Sequence, residues 1–193
     1  MASQYDLIVI GSGPGGYVAA IRGSQLGMKV GIVEKAELGG VCLNWGCIPT
    51  KALLKSAQVF EYINHASDYG IIVKDASADF TGMVKRSRQV ADSNSKGIDF
   101  LLKKNKIDVI KGHGMLARGK QVEVTDDFGK MTSYFAKNII LATGGRARQL
   151  PNLPIDGKKV IGYREAMTLS EKPNKMVIVG SGAIGVEFAY FYN

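Results

Sequence analysis

Apolar residues gather in short blocks along this chain, and the blocks alternate with longer stretches of mixed character. Residues 5–10, Tyr-Asp-Leu-Ile-Val-Ile, form the first block. A short and nearly continuous apolar run is what a parallel strand buried on both faces requires. Residues 17–26 read as a helix rich in alanine and apolar positions, with Gly27 placed to end it. Residues 29–33 give a second strand, and Glu34 stands at its end. A helix is predicted over residues 47–62, with Leu54, Ala57 and Ile63 turned inward, while residues 66–80 carry no period and read as loop. Thr81 then stands where a cap is needed for a long helix from 82 to about 104. In that helix Val84, Ala91 and Ile98 recur every seven residues, followed by Leu101 and Leu102, as one packing stripe.

The pattern changes beyond that helix. Residues 107–110 return to a strand, interrupted by Gly112-His113-Gly114. Residues 121–125 and 132–136 alternate as two strands around Asp126-Asp127-Phe128-Gly129, a turn signal. Residues 138–144 read as a further buried strand ending in Ala-Thr-Gly. Pro151-Asn152-Leu153-Pro154 reads as a linker. A short helical stretch follows near 164–169, and then an apolar strand over 175–179.

Composition narrows the class. The chain has 193 residues, 46% of them hydrophobic and 22% charged, as expected of a globular protein and not a disordered one. That length holds one domain, or one and part of a second. No apolar run is long enough to cross a bilayer. The opening residues lead straight into a strand, so no leader is expected, and a reducing cytoplasm is the simplest compartment. The net charge is +8, densest at Lys103-Lys104-Asn105-Lys106. A nucleic-acid footprint calls for a longer basic stripe, so this cluster reads as a solvated helix end with cations favoured by the dipole. His65 and His113 neighbour no metal-ligand pattern and read as surface or structural groups; no metal site is predicted.

Two glycine patterns carry the first chemistry. Gly11-Ser12-Gly13-Pro14-Gly15-Gly16 lies between the first strand and the first helix, with Glu34 ending the second strand. In that context Gly11 permits a tight turn, Gly13 lets the backbone approach a pyrophosphate, and Gly16 lets the helix pack closely. The pyrophosphate would rest on the helix N-terminus, and Glu34 would accept from an adenosine ribose. The alternative is a glycine-rich turn in an unrelated α/β domain. The pattern alone does not separate FAD from NAD. Gly180-Ser181-Gly182-Ala183-Ile184-Gly185 repeats the pattern, but neither a second strand nor a ribose acid follows it before Asn193. The chain is therefore expected to be part of a longer protein.

The second chemistry is sulfur. Cys42 and Cys47 are the two cysteines of the chain, with Gly46 beside the latter and Lys51 one turn beyond. A disulfide closing so small a loop removes little chain entropy, so stability is a poor reason for the pair. In a regular helix residues five apart have Cα atoms about 8.6 Å apart, whereas a disulfide tolerates about 7 Å. If the two pair, the segment must be irregular, and Gly46 supplies the freedom for that. Pro49 suits the first turn of the following helix. A thiol there, with Lys51 nearby, would have its thiolate favoured. The alternative is two unpaired cysteines packed as small apolar residues. A dithiol exchanging two electrons with a nicotinamide needs a carrier that serves both, and a flavin is such a carrier.

The stretch from Gly39 to Leu54, Gly-Gly-Val-Cys-Leu-Asn-Trp-Gly-Cys-Ile-Pro-Thr-Lys-Ala-Leu-Leu, resembles the active-site segment of the pyridine nucleotide–disulfide oxidoreductases. Leu43, Asn44, Ile48 and Lys51-Ala52-Leu53-Leu54 favour the branch that oxidises dihydrolipoyl groups in 2-oxo acid dehydrogenase complexes. The glutathione- and mercuric-reductase branches are the alternative, as is a flavin-binding fragment without turnover. The resemblance implies an α/β fold: a Rossmann-like FAD-binding domain over 1–150, with a parallel sheet, helices, a small antiparallel meander and a redox-active disulfide. A linker and the start of an NAD-binding Rossmann unit would occupy 151–193. It implies that Cys42 is the interchange thiol and Cys47 the thiol against the flavin. Lys51 would lie near the flavin ring, paired with Glu187. FAD contacts are implied at Gly11, Gly13, Pro14, Gly15, Gly16, Glu34, Lys35, Gly39, Gly40, Val41, Cys42, Lys51, Gly114, Ala142, Thr143 and Gly144. NAD contacts are implied at Gly180, Gly182 and Gly185, in a site this chain leaves incomplete. Relatives commonly have serine after Ala-Thr-Gly, where this chain has Gly145. The implied partners are a lipoyl domain and, for the full-length protein, a second copy; neither nucleic acid nor membrane is implied. The family's proton-transferring histidine–glutamate pair has no counterpart in His65 or His113.

Overall fold

A computed structural model describes residues 4–193. Its sheet is built on β1 (Gln4–Ile10), whose residues Leu7 to Ile10 are all buried, as a strand covered on both faces must be. β2 (Val30–Glu34) and β6 (Met131–Leu141) pair with it in parallel, one on each side, and β3 (Asp108–Lys111) pairs in parallel with β2. β4 (His113–Ala117) and β5 (Gln121–Thr125) extend the other edge antiparallel, giving the order β3-β2-β1-β6-β5-β4. This is a Rossmann-type α/β sheet with an antiparallel meander. Its core contains Tyr5, Ile8, Ile10, Val33, Ile110, Val122, Val124 and Ala136.

The helices in chain order are α1 (Pro14–Gln25), α2 (Gly40–Trp45), α3 (Cys47–Asn64), α4 (Phe80–Lys104), α5 (Tyr163–Ala166) and α6 (Ala183–Tyr192). α1 lies close to the sheet because its buried positions are small, Gly16, Ala20 and Gly23. A Cβ on Gly23 would come 2.8 Å from the Leu7 side chain. In α4 the predicted stripe is present: Ala91, Ile98 and Leu102 are buried, although Leu101 is exposed. The chain separates into two compact units, neither contiguous. One takes residues up to Asn44 with Asp92–Arg146 and contains the whole sheet; the other takes Trp45–Ala91 with Ala147–Asn193. The second unit has its own core, in which Leu53 of α3, Ala166 and Met167, and Phe188, Phe191 and Tyr192 of α6 pack together.

Four expectations change. The strands predicted at 132–136 and 138–144 are one strand, β6, whose first half pairs with β5 and whose second half pairs with β1. That second half is not buried: β5 stops opposite Phe135, so residues beyond it form an open edge, and Leu141 is 60% exposed. Residues 175–179 form no strand; none of them enters a ladder, and Val177 is 89% exposed. An apolar run becomes a strand only where a neighbour takes its N–H and C=O groups. Thr81 lies inside α4, and Asp79 caps that helix, its Oδ1 accepting the Gly82 N–H at 2.9 Å.

Two buried phenols give the fold an alkaline signature. Burial pushes Tyr5 up to about 12, helped by Asp108, whose Oδ2 accepts its hydroxyl at 3.0 Å. Burial also pushes Tyr192 up to about 12, and its hydroxyl donates to the Ala166 carbonyl. Both are held neutral in the folded chain, so their contribution is whole below the phenol's ordinary value near pH 10 and is lost as pH rises toward about 12. Urea midpoints measured from pH 9 to 12 should therefore fall most steeply above pH 10. Tyr5→Phe should flatten part of that fall.

Candidate active site

Within the first unit the predicted nucleotide residues come together at the end of β1. Gly11 has φ +103°, and the Gly11 N–H donates to the Val33 carbonyl at 2.8 Å. A side chain on Gly11 would overlap the Ala142 carbonyl oxygen, and one on Gly16 would overlap the carbonyl of Gly11 itself. Ala142 continues the ladder past β6, its N–H donating to the Ile10 carbonyl at 2.8 Å. The Ala-Thr-Gly motif is thus set directly against the glycine turn. Gly13 caps α1 with extended backbone, and Pro14 fills the first helical position. A Cβ on Gly13 or Gly15 would meet nothing within 4 Å. Packing within the chain therefore explains Gly11 and Gly16 but leaves Gly13 and Gly15 unexplained. Those two present bare backbone to open space at a helix N-terminus, which suits an anion.

Glu34 stands beside this turn. Its Oε2 accepts two bonds from Ser12, from the N–H at 2.9 Å and from the hydroxyl at 2.6 Å, and its Oε1 accepts the Ala36 N–H at 2.9 Å. A carboxylate offers about four acceptor positions, so three bonds leave one on Oε1. Ser12, which sequence reasoning passed over, is fully buried. The Gly39 N–H donates to the Ser12 carbonyl at 3.1 Å and to its hydroxyl oxygen at 3.3 Å. Gly40 has φ +61°, and a Cβ there would stand 2.8 Å from the Gly13 Cα. α2, which carries Val41 and Cys42, thus starts in contact with the turn. Asn44, buried, steadies it by donating to the carbonyls of Leu38 and Gly40 at 2.9 and 3.0 Å. Lys35 is exposed beside Glu34. Gly114 packs over β1 and β2, where a Cβ would come 3.0 Å from Val33 and 3.1 Å from Ile10. These donors and open backbone positions fit an adenosine diphosphate group such as that of FAD.

The second unit holds the remaining candidates. Helix geometry breaks at Gly46, with φ −140° and ψ −120°, and α3 begins at Cys47, which is exposed. Pro49 lies buried in its first turn, and that turn holds no acidic residue. Cys42, on α2, is half-buried. Lys51 donates to Glu187 Oε1 at 2.5 Å, joining α3 to α6. With the lysine side chain 60% exposed, that ion pair adds little stability. Trp45 lies under two guanidinium groups, those of Arg88 at 4.2 Å and Arg164 at 4.9 Å from the ring centre. A groove of about 450 Å³ lined by Lys55, Ser56, Phe60, Asp79, Met83 and Arg86 includes none of the predicted site residues.

The second glycine pattern repeats the first in backbone geometry. Gly180 has φ +112°, Gly182 caps α6 with extended backbone, and a Cβ on Gly185 would overlap the Gly180 carbonyl. The strand that should precede it is missing among the described residues. His65 accompanies Glu61 at the exposed end of α3, and His113 is exposed at the start of β4. No cluster of three potential metal ligands occurs among the described residues, and no helix is long and apolar enough to cross a membrane.

Comparison with known proteins agrees with this geometry. The family model described as pyridine nucleotide-disulphide oxidoreductase matches residues 5–193. The chain belongs to that family. Dihydrolipoyl dehydrogenase of Chlorobaculum parvum is 52% identical over 99% of this chain, and that of Chlorobaculum tepidum is 53% identical over all of it. In each case the chain spans 41% of the relative's length. The crystal structure of LpdA from Mycobacterium tuberculosis superposes with a TM-score of 0.87 at 24% identity, covering 99% of this chain and 42% of that one. That likeness establishes the fold. Members of this family are flavin- and pyridine-nucleotide-dependent, consistent with the two glycine turns.

The turn gives a direct stability test. Gly16→Ala should lose more than about 2 kcal/mol, because an overlap with a fixed backbone carbonyl outweighs the gain in helix propensity. Gly13→Ala should lose no more than about 1 kcal/mol, the scale of a weakened N-cap, because a Cβ there meets nothing within 4 Å. Urea denaturation of the two variants checks both.

Proposed function

We propose that this chain is the FAD- and disulfide-bearing part of a dihydrolipoyl dehydrogenase. Residues 1–150 would form the FAD-binding domain, and residues 151–193 would lead into the NAD-binding domain. The observation that carries the reading is the contact of Gly40 with Gly13. It starts the helix bearing Cys42 on the turn that would hold the cofactor pyrophosphate. Similarity to the Chlorobaculum enzymes supports the choice of substrate.

In this reading Gly13, Gly15 and the N-terminus of α1 receive the pyrophosphate, and Glu34 receives the adenosine ribose. Lys35, Gly39, Val41, Gly114 and the Ala142-Thr143-Gly144 segment complete the FAD surface, and Gly180, Gly182 and Gly185 would meet the pyrophosphate of NAD. With the pair oxidised, a dihydrolipoyl thiolate attacks the Cys42 sulfur and Cys47 departs as a thiolate. The second lipoyl thiolate then displaces Cys42, forming the lipoyl disulfide. Two electrons and two protons leave the substrate, and both protein sulfurs end reduced. FAD, when bound, would supply a two-electron acceptor between the dithiol and NAD. Glu187 holds the Lys51 ammonium in place, which favours negative charge developing near α3. The partner is a lipoyl domain, the working form a homodimer, and the compartment the cytoplasm.

The FAD-reconstituted chain, given one equivalent of dithionite so that the two cysteines are reduced and the flavin stays oxidised, should show long-wavelength absorbance from thiolate-to-flavin charge transfer. Cys47→Ser should abolish that band, and Cys42→Ser, which has no disulfide to reduce, should show it without any reductant. A band that survives Cys47→Ser would reverse the roles assigned to the two sulfurs.

A further inference from the structure

We propose that Ser12 is the positioning residue that aims Glu34 at the adenosine ribose. The inference rests on the FAD reading above and adds a residue to it. Ser12 is 0% exposed, and a buried hydroxyl is retained only where its hydrogen bonds are made. Its partners are specific. Ser12 clasps a single oxygen of Glu34 with two donors, N–H at 2.9 Å and hydroxyl at 2.6 Å. The same hydroxyl oxygen accepts the Gly39 N–H at 3.3 Å. One side chain therefore joins the glycine turn, the acid at the end of β2 and the entry to α2.

The clasp has a chemical consequence. Oε2 is taken up by two bonds, while Oε1 has only the Ala36 N–H at 2.9 Å. The remaining acceptor capacity of the carboxylate is concentrated on Oε1, and a ribose hydroxyl is a donor that needs a lone pair held at a fixed angle. Without the Ser12 hydroxyl the carboxylate loses its shortest bond and regains torsional freedom. Gly39 keeps its bond to the Ser12 carbonyl at 3.1 Å, so the backbone of the turn stays tied. Ser12→Ala should thus loosen the acid without unfolding the site.

The test compares FAD with its 2′,3′-dideoxyadenosyl analogue, titrated into the cofactor-free chain and followed by flavin fluorescence. Ser12→Ala should weaken FAD about tenfold, the scale of one hydrogen bond to a charged group, and leave the analogue unchanged. In a Glu34→Ala background it should have no further effect on FAD. Equal weakening of FAD and analogue would reduce Ser12 to a packing role and overturn the inference. Unchanged FAD affinity in Ser12→Ala would also overturn it, while leaving FAD binding by the chain intact. If the unaltered chain binds neither ligand, the FAD reading fails and this inference falls with it.

Discussion

Burial of β1 between two parallel neighbours is the constraint on which the nucleotide turn depends. Leu7, Ile8, Val9 and Ile10 are buried, and both edges of the strand are saturated by ladders to β2 and β6. The strand has no freedom to shift, because a slip of one residue would exchange its two faces. Its end is therefore fixed, and the Gly11 turn that follows takes its place from it. The carbonyl of Ile10 holds Ala142, and the carbonyl of Val33 holds Gly11. Each strand of the central trio contributes one group to the same corner.

That corner is crowded on one side and open on the other. Gly11 and Gly16 lack side chains because backbone carbonyls occupy the space where those side chains would go. Gly13 and Gly15 lack them with nothing nearby. The asymmetry separates glycines that serve folding from glycines that leave backbone donors accessible. It also explains why the turn suits a charged, flat-contacting group: N–H donors at a helix N-terminus are presented without side chains to hold the ligand away.

The two glycine patterns of the chain show how much of such a turn is local. Gly180, Gly182 and Gly185 adopt nearly the backbone of Gly11, Gly13 and Gly16, although residues 175–179 before them form no strand. Turn geometry follows from a few positions that tolerate positive φ and close approach. A strand needs partners at a distance. Residues 5–10 and 175–179 have similar apolar character, and only the former meet neighbours.

The sequence by itself determined the local and periodic features: β1, β2 and β5, the presence of α1, α3 and α4, the Asp126 turn, and both glycine turns. It also determined the candidate chemistry, since two cysteines framed by glycine, with a lysine one turn away, are legible as residue types at a spacing. Tertiary structure decided what rests on distant pairing. It merged two predicted strands into β6, left Leu141 on an open edge, and moved the α4 cap from Thr81 to Asp79. It also gave Ser12 its place, buried against a carboxylate 22 residues away. A serine between two glycines carries no period and no motif of its own, so only the folded arrangement of donors and acceptors reveals what it holds.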